Sequence, residues 1–406
     1  MKKILLSSIF AASVGTLVPV SVQADWLQFR GNDSNGLAEK DATPPTKFDG
    51  EKSIAWKVKL PGEGLSCPIV VGEKVFVTCS SGADQNLLHV FCFNAADGSK
   101  IWERRFWATG RTMCHKKTSV AAPTPTSDGK NIYALYSSND LISLDLDGNL
   151  NWLRGLTVDY ANASNSLGLA TSPIMVDGVL VVQIENDADS FAAGIDTKTG
   201  KNLWRMPTTK KANWSSPVSI GTGDNALVVI QGSKGLLGVR PDTGSVIWKY
   251  EDGASTIPSS VVANEVIYAP SHGLTALQPT DGGGEPKQLW RAEKIRPGTS
   301  SPVVAGDKIY AVSSAGILEG AKLDTGESLF RTRLEDRKFS SSPVVAGNYL
   351  YVFGERGIGH IVDLTKPEGE VVSTIELEEE ILGTPALSGD GIYIRSDGHL
   401  WKLASP

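Results

Sequence analysis

Along the chain, short apolar runs alternate with polar, glycine-containing turns in one recurring order. A Ser/Thr-Pro pair leads two or three apolar residues, a turn with Gly, Asp or Asn follows, and a second apolar run carries an aromatic. The unit is marked in turn by Pro68, Pro125, Pro173, Pro217, Ser260 in place of proline, Pro302, Pro343 and Pro385. After a longer first step the spacing settles at about 42 residues, a period that marks propeller blades. The second run keeps register with the first through Phe76, Tyr133, Val181, Tyr268, Tyr310, Tyr351 and Tyr393. In the fourth unit it slips to Val228, because Thr222-Gly223-Asp224 lengthens the turn.

Each unit then reaches a second column, a turn of the Asp-x-x-Gly kind followed by a strand with tryptophan. Gly98 leads to Trp102, Gly148 to Trp152, Gly200 to Trp204 and Gly244 to Trp248, with Lys287 leading to Trp290. Phe330 follows Gly326 in the same place, and the unit from Pro343 offers only Val371-Val372-Ser373. Proline fits the start of a strand, and glycine supplies the positive φ of a tight hairpin. The pattern predicts an all-β protein, an eight-bladed β-propeller with four antiparallel strands per blade. Trp56, Trp102, Trp152, Trp204, Trp248 and Trp290 are read as structural, filling the wedge between neighbouring blades. The last unit supplies three strands, so residues 53–58 are expected to pair with it and close the ring, leaving no open sheet edge. Residues 25–406 read as one domain with an N-terminal extension over 25–52, and residues 103–122 as the longest irregular connection.

The high glycine and proline content, 42 and 21 residues, leaves little room for long helices and agrees with this reading. Lys2 and Lys3 precede an apolar run, Ile4 to Val22, that ends in Val22-Gln23-Ala24; this predicts a cleaved signal peptide over residues 1–24. The formal charge of −6, more negative once Lys2 and Lys3 are removed, argues against nucleic acid or anionic lipid as a partner. Export permits disulfides; Cys67, Cys79, Cys92 and Cys114 allow three complete pairings, and Cys67 and Cys79 flank a hairpin that would let them face each other.

The element Asp196-Thr197-Lys198-Thr199-Gly200-Lys201-Asn202-Leu203-Trp204 resembles the repeat of pyrroloquinoline-quinone (PQQ)-like propellers, and the resemblance covers the whole chain after residue 24. Trp26-Leu27-Gln28-Phe29-Arg30-Gly31 and Asn213-Trp214-Ser215-Ser216-Pro217 look like a subgroup of exported bacterial members. The wider group includes PQQ-dependent alcohol dehydrogenases and the propeller lipoprotein that helps assemble outer-membrane β-barrels; this signal region has no cysteine to acylate. The expected signal peptide places the chain in the periplasm or outside the cell, and the regular short blades and lack of a catalytic constellation point to a monomeric, non-catalytic binding or scaffold protein whose partner is an envelope protein or a polymer. The alternative is a PQQ- and calcium-dependent alcohol or sugar dehydrogenase, which needs the quinone on the propeller axis, Ca²⁺ on oxygen ligands and a carboxylate base. The vicinal cysteine pair and long inter-blade insertions of those dehydrogenases are missing. Glycan recognition, a third reading, would place exposed aromatics on one rim.

Three segments carry candidate chemistry. Arg111 and His115 lie in a connection that gathers a cation, an imidazole and the Cys114 thiol, against the simpler reading of a solvated basic loop. Glu185 and Asn186, with Asp187 and Asp189 as weak calcium ligands, follow an apolar strand, where a polar hairpin turn is the competing reading. Asn213 and Trp214 precede the fourth innermost strand, and Trp214 stands outside the tryptophan column, near the expected axis. No G-x-S-x-G, H-E-x-x-H, P-loop or dinucleotide fingerprint occurs, so hydrolase and nucleotide chemistry have no support.

Overall fold

A computed structural model describes residues 25–163, 167–280 and 282–406; the expected signal peptide lies outside the described residues. The strands form eight four-stranded antiparallel sheets arranged as the blades of one ring. Blades 1 to 7 span residues 69–107, 126–155, 174–207, 218–250, 261–292, 303–333 and 344–376. In blade 8 the strands Ala386–Ser388, Gly391–Arg395 and His399–Leu403 are joined by Ile54–Lys59, which pairs antiparallel with His399–Leu403. The closure expected from the sequence is therefore the observed one. Among the described residues no helix is long and apolar enough to cross a membrane.

The wedge has a definite construction. In five blades the outermost tryptophan reaches the third turn of the next blade, whereas blade 7 carries no aromatic there and Trp248 of blade 4 has no partner for its indole N–H among the described residues. In those five the indole N–H donates to a turn carbonyl: Trp56 to Ala95 at 3.2 Å, Trp102 to Leu146 at 3.0 Å, Trp152 to Thr197 at 2.9 Å, Trp204 to Pro241 at 2.7 Å and Trp290 to Leu323 at 3.0 Å. The turn glycine lies flat on the ring, and a Cβ on Gly200 would stand 2.7 Å from Trp152. These glycines are thus required twice, by φ near +70° and by the ring beneath them. At blade 6, Phe330 takes the place of tryptophan under Gly369, filling the wedge without donating.

Two details differ from the sequence reading. The outer strand of blade 1 runs Lys100–Trp107, so the irregular connection begins at residue 108. Its charged residues, Glu103, Arg104 and Arg105, belong to an outermost strand with one face in solvent. The four cysteines are free: Cys67 points to the ring axis, whereas Cys79 lies against Arg395 Nη1 at 3.2 Å, so the two do not meet.

A candidate binding site on the propeller axis

Antiparallel blades put the inter-blade connections and second turns on one face of the ring, the loop face, and the first and third turns on the other. Residues 25–48 cross this other face. Trp26 pairs with Val70 of blade 1, Ser127 N of blade 2 donates to Leu27 O, and Gln28 Oε1 accepts from Thr126 Oγ1 and Met175 N of blades 2 and 3. Leu37 bridges to Val345 of blade 7, and Thr43 N donates to Gly389 O of blade 8. In the centre, Arg30 is fully buried; Nη1 donates to Ser260 O at 3.0 Å and Nη2 to Pro302 O. The segment plugs the axial channel at this end.

Above the plug lies a cavity of about 410 Å³, floored by Phe29 and open on the loop face. Its wall is a collar built from the residue ahead of each first strand. The N–H of Cys67 donates to Thr124 Oγ1, that of Thr124 to Ser172 Oγ, and so through Ser216, Ser259, Ser301 and Ser342 to Thr384 Oγ1, each at 2.9–3.0 Å. Thr384 N then donates to Cys67 Sγ at 3.1 Å, closing the circle. Every blade therefore tethers to the next at the axis, and most of them at the rim as well. Burial pushes the Cys67 thiol up, although contacts with Thr124 and Thr384 oppose the shift.

The mouth is built by the connections. His115 N donates to Leu167 O at 2.9 Å, and Lys117 N to His115 Nδ1 at 3.2 Å. Lys117 Nζ reaches across to Glu355 Oε2 of blade 7 at 2.9 Å, and Glu355 Oε1 accepts from Ser340 Oγ at 2.8 Å. Trp214 Nε1 donates to Gly168 O at 3.0 Å, holding the indole against the wall with Leu167, Ile257 and Leu382 nearby.

The structure thus brings His115 and Trp214 to one cavity, with Asn213 buried just behind, donating to Gln231 O at 2.9 Å. Arg111 stays at the surface, its Nη2 on Met113 Sδ at 3.2 Å. Glu185 is buried between blades 3 and 4, away from the axial lining, and its Oε2 has no partner among the described residues. Burial raises this carboxyl to about 7 against the opposing contacts of Thr208, Gln183 and Asn213. Asn186 orders the turn through Ser190 and Ala188. Asp187 is exposed, while Asp189 pairs with Arg205 at 2.8 Å, so the two do not converge on a shared centre. Arg30, Lys117 and Glu355 were not singled out as site residues, since nothing local marks them. The collar did leave a trace: Cys, Thr, Ser, Ser, Ser, Ser, Ser and Thr precede the proline column in turn.

A ring of this construction, with tryptophans docked on glycine turns and a cavity on its axis, defines a PQQ-like repeat propeller. The chain belongs to the family whose model is described as outer membrane protein assembly factor BamB, which matches residues 46–172, 89–332 and 321–405. It is 25% identical to the outer membrane protein assembly factor BamB of Moranella endobia over 44% of this chain and 43% of the relative. It is 22% identical to the polyvinylalcohol dehydrogenase of a Sphingopyxis species over 58% of this chain and 41% of that enzyme. The matches therefore span less than half the length of either relative. The crystal structure of BamB from Moraxella catarrhalis superposes with a TM-score of 0.62 at 16% identity, covering 87% of this chain and 97% of the other, a likeness of fold.

Proposed function

We propose that this chain is an exported, non-catalytic binding propeller of the bacterial envelope, which receives part of an envelope protein or polymer in its axial cavity. The observation that carries the reading is the cavity itself: closed on one face by the chain's own residues 25–48, open on the other, and rimmed by Trp214, Leu167, Ile257 and Leu382. A mostly apolar lining with a few convergent polar groups, here the collar hydroxyls, is the usual make-up of a ligand pocket. Membership of a family named for an outer membrane assembly factor supports an envelope partner.

The dehydrogenase alternative draws on the polyvinylalcohol dehydrogenase relative. The residues here do not fit its cofactors. No carboxylate lines the cavity, and among the described residues no three His, Cys, Asp or Glu side chains converge to hold a metal. Calcium takes six to eight oxygens, usually with carboxylates among them. No oxidation step is therefore derived.

A photo-reactive amino acid at position 214 tests the proposal in cells. The expected result is a discrete covalent adduct with an envelope component, absent when the probe sits at exposed Lys210. Saturable PQQ binding with calcium, together with dye-linked alcohol oxidation, would overturn it.

A further inference from the structure

Blades 3 and 4 enclose a second cavity, of about 110 Å³, away from the axis. Glu185 enters it from the end of the strand Val179–Ile184, and Thr208 from just past Asn202–Pro207. Blade 4 supplies the opposite wall, with Ile230, Leu236 and Leu237 as apolar cover and Gly232 facing the carboxyl. A Cβ on Gly232 would stand 3.4 Å from both Oε1 and Oε2, so the carboxyl looks onto bare backbone there.

The acceptors in this corner lack donors. Glu185 is 3% exposed, makes no ion pair among the described residues, and leaves Oε2 without a partner. Gln183 and Thr208 touch the same carboxyl, and Gln183 Oε1 and Thr208 Oγ1 are also buried without partners. The Gln183 amide is held in its orientation by Nε2, which donates to Gln231 O at 2.7 Å. The cations that line the cavity, Lys234 and Lys249, are exposed, and neither pairs with Glu185.

A carboxylate taken out of water without a cation is costly, and burial has raised this one to about 7. An ammonium carries three N–H donors and no acceptor, which matches three unclaimed oxygens gathered around one carboxyl. The apolar wall beside them suits a carbon stem. Calcium asks for six to eight oxygens, whereas these side chains bring one carboxylate, one amide and one hydroxyl.

We infer that the cavity between blades 3 and 4 is a site for a primary alkylammonium group, whose N–H donors go to Glu185, Gln183 and Thr208 and whose stem lies on Ile230 and Leu237. A lysine side chain of a partner and a small free amine both present that group. The site lies off the axis and stands whether or not the axial cavity receives a partner.

The test follows the melting temperature of the full chain at fixed pH and ionic strength. Butylammonium chloride should raise it saturably, whereas n-butanol and calcium chloride should not. Glu185→Gln keeps the shape, removes the charge, and should weaken the effect by about 10-fold or more, the loss of a charge-assisted hydrogen bond. Gly232→Ala narrows the approach to the carboxyl and should weaken it too, with Glu185 left in place. A lysine-containing peptide that binds about 10-fold tighter than butylammonium assigns a partner's side chain. Equal affinity assigns a free amine, and either result supports the site. No saturable butylammonium effect on the unaltered protein overturns the inference without relying on a variant, since the cavity then holds only water. An effect equally strong in Glu185→Gln overturns it by placing the amine elsewhere, and saturable stabilisation by calcium alone overturns it in favour of a metal.

Discussion

Closure of the ring can be read through one carboxylate. Glu379, in the connection entering blade 8, accepts from Lys57 Nζ of the N-terminal strand at 2.9 Å, His399 Nδ1 of the C-terminal strand at 2.7 Å and Ser396 Oγ at 2.7 Å. Partial burial would raise its pKa, but the bonds from Ser396, His399 and Lys57 outweigh that and hold it at about 2. The folded value lies below the unfolded one, near 4.5. The group therefore stabilises the fold fully above about pH 4.5 and loses that contribution as pH falls toward 2. A shift of about 2.5 units at about 1.4 kcal/mol each corresponds to about 3.5 kcal/mol. The side chain is 22% exposed, so solvent screening brings the expectation to about 2 kcal/mol. Glu379→Gln should lower the unfolding free energy at pH 7 by that amount, read from urea titration followed by tryptophan fluorescence, and the gap from the unaltered protein should close between pH 4.5 and 2. Glu103, also held at about 2, titrates in both proteins and cancels. A gap at pH 2.5 as large as at pH 7 would refute the reasoning, because the loss would then come from packing and not from charge.

Four further outcomes are expected. Gly244→Ala puts a Cβ 2.5 Å from the Trp204 ring at φ +68°, and should cost about 2–4 kcal/mol in chemical denaturation. Gly347→Ala, at φ +54° with open space around the new atom, should cost only the backbone's about 1 kcal/mol. Ser260→Pro restores the proline column yet should destabilise by about 1–3 kcal/mol, since Ser260 N and Oγ both donate to buried Gln231 Oε1, at 2.9 and 2.7 Å. Cys67→Ser keeps an acceptor for Thr384 N and should shift stability by less than about 1 kcal/mol in a thermal melt.

These cases also show what was legible in the sequence. The blades were, because proline, aromatic and glycine recur in fixed register and each recurrence has a local cause in strand start, core face and tight turn. The strand at residues 53–58 was legible through its lack of a local partner. Ser260 looked like drift in the column, whereas its N–H is needed by Gln231, a contact across 29 residues. The site was only partly visible. Trp214 stood out by breaking the tryptophan column, and His115 by its company. Arg30 meets Ser260 and Pro302 across more than 200 residues, and Lys117 meets Glu355 across 238, so no local pattern marks either. The acidic turn at Asp187 and Asp189 suggested calcium by composition alone. Geometry sends Asp189 to Arg205 instead, where the guanidinium also lies 4.4 Å from the Tyr160 and Phe191 rings.

The pairing of Ile54–Lys59 with His399–Leu403 also governs when this protein can be whole. During synthesis the N-terminal strand emerges early and has no partner until nearly all the remaining chain has followed. Until then the ring is an open arc, with blade 1 and the incomplete blade 8 exposing their flanks. Contacts so distant in sequence form slowly. On the proposed export, a chain that crosses a membrane before folding would gain from such a delay, because its last fastening is also among the last segments to be made.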